Sequence, residues 1–176
     1  MKNYSYPYLT FVTFSVLVAI FLFIWWLNDV YSITYLYSST TDTFVLVCAG
    51  LSFFISLYLL KRGFVDRAKL VGFGAYLKFY SGVCLLTWIA LFIPLVTLIY
   101  FLPGEESLYS APYEYAPGGS KSCPGADVND PDLQKNIRIC HPYGDYVDGD
   151  VIYVKKRLNV LGAVVTCAYA TSDRFD

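Results

Sequence analysis

The chain has 176 residues, about one domain's worth; 56% are hydrophobic, 19% aromatic and only 15% charged, and the net charge is −1. Soluble domains run near 25% charged, so a chain of mean hydropathy +0.48 cannot coat its own surface for water. No basic tail or stripe is present, which excludes nucleic acid as a partner.

The first element lies between Lys2 and Asp29, which bracket a segment free of charge. Its apolar body, 8–27, is 20 residues, roughly 30 Å of helix, the thickness of a bilayer's hydrocarbon core. Tyr8 at one end and Trp25 and Trp26 at the other are the expected interface anchors, since amphipathic rings settle at headgroup level. A cleaved signal peptide has a shorter apolar core and a small-residue cleavage site, so this run reads as an uncleaved anchor.

The second run, 43–60, is 18 residues between Asp42 and Lys61, short but sufficient to span. Gly50, Ser52 and Ser56 mark its expected packing face, because small residues four apart let helix backbones approach. The third run, 83–102, contains Pro94, read as a plain kink. None of the three spans holds Asp, Glu, Lys, Arg or His. Ionisable groups inside a membrane mark proton relays and ion paths, so the spans argue against a pump and offer no histidine to a haem. Cys48 and Cys84 fall within the runs and read as packing residues.

Charge sets the orientation. The segment between the second and third runs carries Lys61, Arg62, Arg67, Lys69 and Lys78 against one acid, Asp66, whereas the segment 28–42 has no base and two acids. Short basic loops stay cytoplasmic. Three spans then place the N-terminus inside and everything after Pro103 outside, as in a bacterial inner membrane with a periplasmic domain. From Pro103 onward there are eleven acids and seven bases, together with Cys123, Cys140 and Cys167. An exported compartment favours disulfides. Cys123–Cys140 is the expected pair, and Cys167, in an apolar strand, reads as a buried thiol.

Residues 103–136, dense in proline, glycine and serine, read as an extracytoplasmic connector without regular structure over most of its length. Beyond it, 137–176 reads as a small, mostly β domain: Ile137 and Ile139 alternate with polar residues, Val151–Val154 and 160–169 are β-branched runs, and aspartates with Gly149 mark turns. The apolar stretch 158–170 is too short to cross a bilayer as a helix. So small a domain looks undersized for a core of its own, which suggests a disulfide, a docking surface or edge pairing with another chain.

No site chemistry stands out. His141 is the single histidine, without clustered cysteine or histidine ligands for zinc. The aspartates of DVNDPD and DYVDGD fail the calcium-loop spacing, since proline occupies the fifth position counted from Asp127. No catalytic, cofactor or metal residues are expected. The composition points to a non-catalytic small subunit packing against other integral membrane chains within the bilayer, in a respiratory, energy-converting, secretion or conjugation complex. A self-contained immunity or exclusion protein that binds an incoming toxin or transfer machine is the second class.

Overall fold

A computed structural model describes residues 6–63, 72–119, 122–147 and 150–171. Among these residues three helices are, by length and composition, long and apolar enough to cross a membrane. Helix α1 (Tyr6–Trp25) runs on through a π turn (Trp26–Val30) and a 3₁₀ turn (Tyr31–Ile33) into a short strand, β1 (Thr34–Leu36). Helix α2 (Ser38–Arg62) ends at Gly63, whose left-handed φ of 72° lets its N–H turn back to the Leu59 carbonyl. Lys61 and Arg62 in its last turn oppose the negative end of the helix dipole. Helix α3 (Phe73–Phe101) returns antiparallel to α2 and contains Pro94.

Six further strands complete the fold: β2 (Glu105–Ala116), β3 (Gly125–Asp130), β4 (Lys135–Cys140), β5 (Tyr143–Gly144), β6 (Val151–Leu158) and β7 (Gly162–Thr171). They form one sheet in the order β1-β7-β6-β2-β3-β4, with β5 added parallel to β7. The sheet curls into a nearly closed barrel. Its curl comes from β2, which serves two neighbours end to end. Residues 105–112 pair with β6 and residues 113–116 with β3. The change falls at Pro112, which has no N–H to give a ladder. Side chains bridge the two ends of the sheet: the Tyr35 hydroxyl donates to the Arg138 carbonyl at 2.6 Å, and the Lys135 ammonium donates to the Leu36 carbonyl.

The barrel interior follows strand alternation. Ala126 and Val128 of β3, Ile137 and Ile139 of β4, and Ile152 and Val154 of β6 all point inward and are buried. On β7 the parity changes. Lys155 pairs with Cys167 and Lys156 with Val165, leaving Thr166 as a bulge. Ala163 and Val165 face the core before the bulge, Ala168 and Ala170 after it. One extra residue is what a bulge inserts, and it flips the following side chains to the other face.

Several sequence-based expectations are corrected here. Residues 103–136 are not a connector: they supply β2, β3 and the start of β4, so the C-terminal strands begin at Glu105 rather than at residue 137. The strands beyond residue 137 find partners within the chain, β7 pairing with β1 and β6 with β2. Cys167 is exposed, not buried, because the bulge at Thr166 turns it outward. Val160, read as the start of a β-branched run, sits instead in the β6–β7 turn at 84% exposure.

Candidate functional site

Two constructions stand out, one inside the barrel and one where the barrel meets the helices. The interior one is ionic. Inward alternation from Ile152 and Val154 places Lys156 next on the same face, and its side chain is 0% exposed. Its ammonium bonds Asp130 Oδ1, also 0% exposed, and Asp132 Oδ2 at 2.9 Å. The Tyr109 ring lies 4.4 Å from the ammonium, close enough for a desolvated cation–π contact.

Asp130 also builds the β3–β4 turn, since its Oδ1 accepts the N–H groups of Asp132 and Leu133, both at 2.9 Å. An aspartate bonding backbone two and three residues on is the local chemistry of such turns. Its Oδ2 is buried without an aligned hydrogen bond. Burial, then the field of Asp130, pushes the Tyr109 phenol well above its ordinary range. The hydrogen bond from Lys156 holds the Asp132 carboxyl below the usual carboxylate range. One cation therefore ties β6 to the β3–β4 turn through the middle of the barrel. Two buried charges persist there because each satisfies the other.

At the junction, the β6–β7 hairpin caps α3. The Arg157 guanidinium donates to the Tyr100 carbonyl, and Asn159 Nδ2 donates to the Ile99 carbonyl at 3.0 Å. These are carbonyls that the end of a helix leaves without partners. Asn159 Oδ1 meanwhile accepts the N–H groups of Leu161 and Gly162 at 3.0 Å, shaping the hairpin. Gly162 is required at this approach, because a Cβ there would sit 2.2 Å from the Tyr35 carbonyl. The barrel is thus fixed to the helices at α3's end and through β1.

A cleft of about 500 Å³ opens beside this joint. Phe44, Trp88 and Phe92 of α2 and α3 wall one side, with Trp88 and Phe92 stacked at 4.6 Å. Lys135 and Arg138 of β4 and the Cys123–Cys140 disulfide line the other. Arg138 is held by Asp127 through two 2.7 Å bonds, which keep that carboxyl below its usual range. Lys135 has no carboxylate within 4 Å among the described residues. Burial pushes its ammonium below the ordinary lysine range, against the raising field of Asp130.

The residues singled out from sequence fall as follows. Cys123 and Cys140 are disulfide-bonded, with Cα atoms 5.6 Å apart. Ser52 and Ser56 are buried on α2, whereas Gly50 is exposed with open space around it. Tyr8 and Trp25 are exposed, but Trp26 is 9% exposed and packs against Val30 and Val96. Its indole N–H donates to Thr97 Oγ1 at 2.8 Å, so the turn after α1 is joined to α3 there. Lys61 and Arg62 lie at α2's end away from the barrel; Arg67 and Lys69 lie outside the described residues. His141 is exposed with φ 47°. Among the described residues no group of three or more His, Cys, Asp or Glu is placed to hold a metal ion.

Lys156, Asp130, Tyr109, Lys135, Arg157 and Asn159 were not anticipated as a set. Alternation in VIYVKKRL was the available signal for Lys156. Protein-family models, curated proteins and solved structures were all compared with this chain, and none matches.

Proposed function

We propose that this chain is a non-catalytic small subunit of a larger membrane assembly, with α1 as the surface that packs against helices of another integral membrane protein. One observation carries the reading. Not one of the 20 residues of α1 is buried, whereas α2 and α3 pack on each other and bury Ser52, Ser56, Val83 and Thr87. The turns that follow α1 join it to α3, where Trp26 meets Thr97. An anchor that only held the barrel in a bilayer would be redundant beside α2 and α3. Ser15 and Ala19, exposed and four apart, offer the small-residue spacing that close helix packing uses.

The ion pair supports a structural barrel: Lys156 and Asp130 are both out of solvent's reach, only Asp132 at the cluster's rim is exposed, and their charges hold strands together. In this reading the barrel faces an oxidising, extracytoplasmic side, where a disulfide persists. Lys61 and Arg62 mark the cytoplasmic end of α2. β1 pairs with β7, so the first loop and the C-terminal barrel share one side of the three helices.

Mild-detergent extraction from the native membrane, followed by size analysis, tests the reading. The chain should elute in fixed stoichiometry with other integral membrane chains, and Ala19→Trp should release it while leaving the disulfide formed. A wild-type chain that elutes alone, or an Ala19→Trp variant that stays in the assembly, would sink the proposal; the first result would favour the self-contained immunity or exclusion protein.

A further inference from the structure

We infer that the cleft between the barrel and the helices binds one acidic phospholipid, its headgroup phosphate on Lys135 and one acyl chain along Phe44, Trp88 and Phe92. The position in the fold motivates this. Helix α2 starts in Ser38, Ser39, Thr40 and Thr41, polar residues suited to headgroup level, and the cleft reaches from Thr41 down to Phe44 and Val45 on the next turn. Val45 and Trp88 are both exposed, so the cleft is open on the side where the apolar helices would meet acyl chains.

Charge selects the headgroup. Two cations line the cleft, but Arg138 is already neutralised by the bidentate grip of Asp127. Among the described residues the Lys135 ammonium is bonded only to the Leu36 carbonyl, and the acid whose field it feels, Asp130, is committed to Lys156. A half-buried cation without a counter-ion, above an aromatic wall, is complementary to a lipid phosphate with a chain below it. A lysine near a membrane surface gains on the order of 1 kcal/mol from anionic lipid, which is roughly fivefold in affinity. This site stands whether or not another chain packs on α1.

The test is native mass spectrometry of the full chain in a nonionic detergent, titrated with phosphatidylglycerol or phosphatidylcholine carrying identical oleoyl chains. Wild type should bind one phosphatidylglycerol with a roughly five- to tenfold preference. Lys135→Met should lose the preference, Lys135→Arg should keep it, and Lys155→Met, on the outer barrel face beside Glu106, should keep it. The arginine variant guards against a loss that reflects misfolding. Dibrominated phosphatidylglycerol should quench a share of tryptophan emission that disappears in Trp88→Phe. Excess inorganic phosphate should not displace the lipid, because it has no acyl chain. Equal binding of the two lipids, an intact preference in Lys135→Met, displacement by phosphate, or quenching unchanged in Trp88→Phe would each overturn the assignment.

Discussion

Replacing Lys156 with methionine is the sharpest test of what holds the barrel together. Methionine fills similar volume but removes the cation, leaving Asp130 buried with two backbone N–H donors and no counter-charge. Both side chains are 0% exposed, so solvent screening does not soften the loss. Removing one partner of a buried pair costs about 3–5 kcal/mol. In hydrogen exchange of the full chain in detergent, that converts to acceleration between about a hundredfold and a few thousandfold for β6 and β3 amides that exchange by barrel opening. Asp130→Asn alone should cost less, because an amide oxygen still accepts the two turn N–H groups. The double variant, Asp130→Asn with Lys156→Met, should recover a large part of the loss, since no unpaired charge remains. Acceleration below about fivefold in Lys156→Met, or strictly additive costs in the double variant, would show that the pair is not a closed buried ion pair.

Four further outcomes follow from the same geometry. Cys140→Ser opens a link between residues 17 apart in sequence and should cost about 3 kcal/mol, seen as faster exchange in β3 and β4 before the β6–β7 ladder. The Asp132 carboxyl titrates below its unfolded value of 3.8 in the folded chain, so its contribution is present above that value and lost as pH falls through the lower, folded one. Exchange in the β3–β4 turn should therefore be steady near neutrality, rise only in acid below about pH 4, and lose that acid-dependent component in Asp132→Asn. A membrane-impermeant maleimide applied to intact cells should label exposed Cys167 but not a cysteine introduced at Phe73, at the opposite end of α3. Residues 103–176 produced alone, lacking β1, should show incomplete amide dispersion by NMR that improves on adding a peptide covering residues 28–42.

The helices were legible because hydropathy is a coarse signal, and three uncharged runs bounded by charge leave few alternatives. The barrel was only partly legible. Its last strands show in β-branched residues such as Val151, Ile152 and Val154, but β2 hides behind Pro112, Pro117 and a run of tyrosines and serines that read as loop. Its half-buried face is Tyr109, Ala111 and Tyr113, an alternation with little aliphatic content. Lys156 was missed because a lysine inside a strand is normally assigned to solvent, whereas the alternation of Ile152 and Val154 points it inward. Cys167 was misplaced for the complementary reason: alternation does hold along β7, but the bulge at Thr166 resets its phase. Trp26 was taken for an interface anchor because sequence alone does not reveal which face of a helix end meets another helix.

The placement of β1 constrains how such a chain assembles. Thr34–Leu36 sits between α1 and α2, yet pairs with Gly162–Val164 at the far end of the sequence. The β6–β7 hairpin is also seated on the end of α3 through Arg157 and Asn159. The local pairs, β3 with β4 and β6 with β7, close short loops and form at low entropic cost. The contacts with β1 and α3 do not: they require the three helices to be in place so that β1 is presented beside the end of α3. Closure of the barrel is therefore coupled to correct arrangement of the helices, which positions Leu36 and Tyr35 for the bonds with Lys135 and Arg138 that bridge its open seam. That seam lines the same cleft that holds Lys135, so a lipid seated there would rest on the part of the barrel whose closure depends most on how the three helices are arranged.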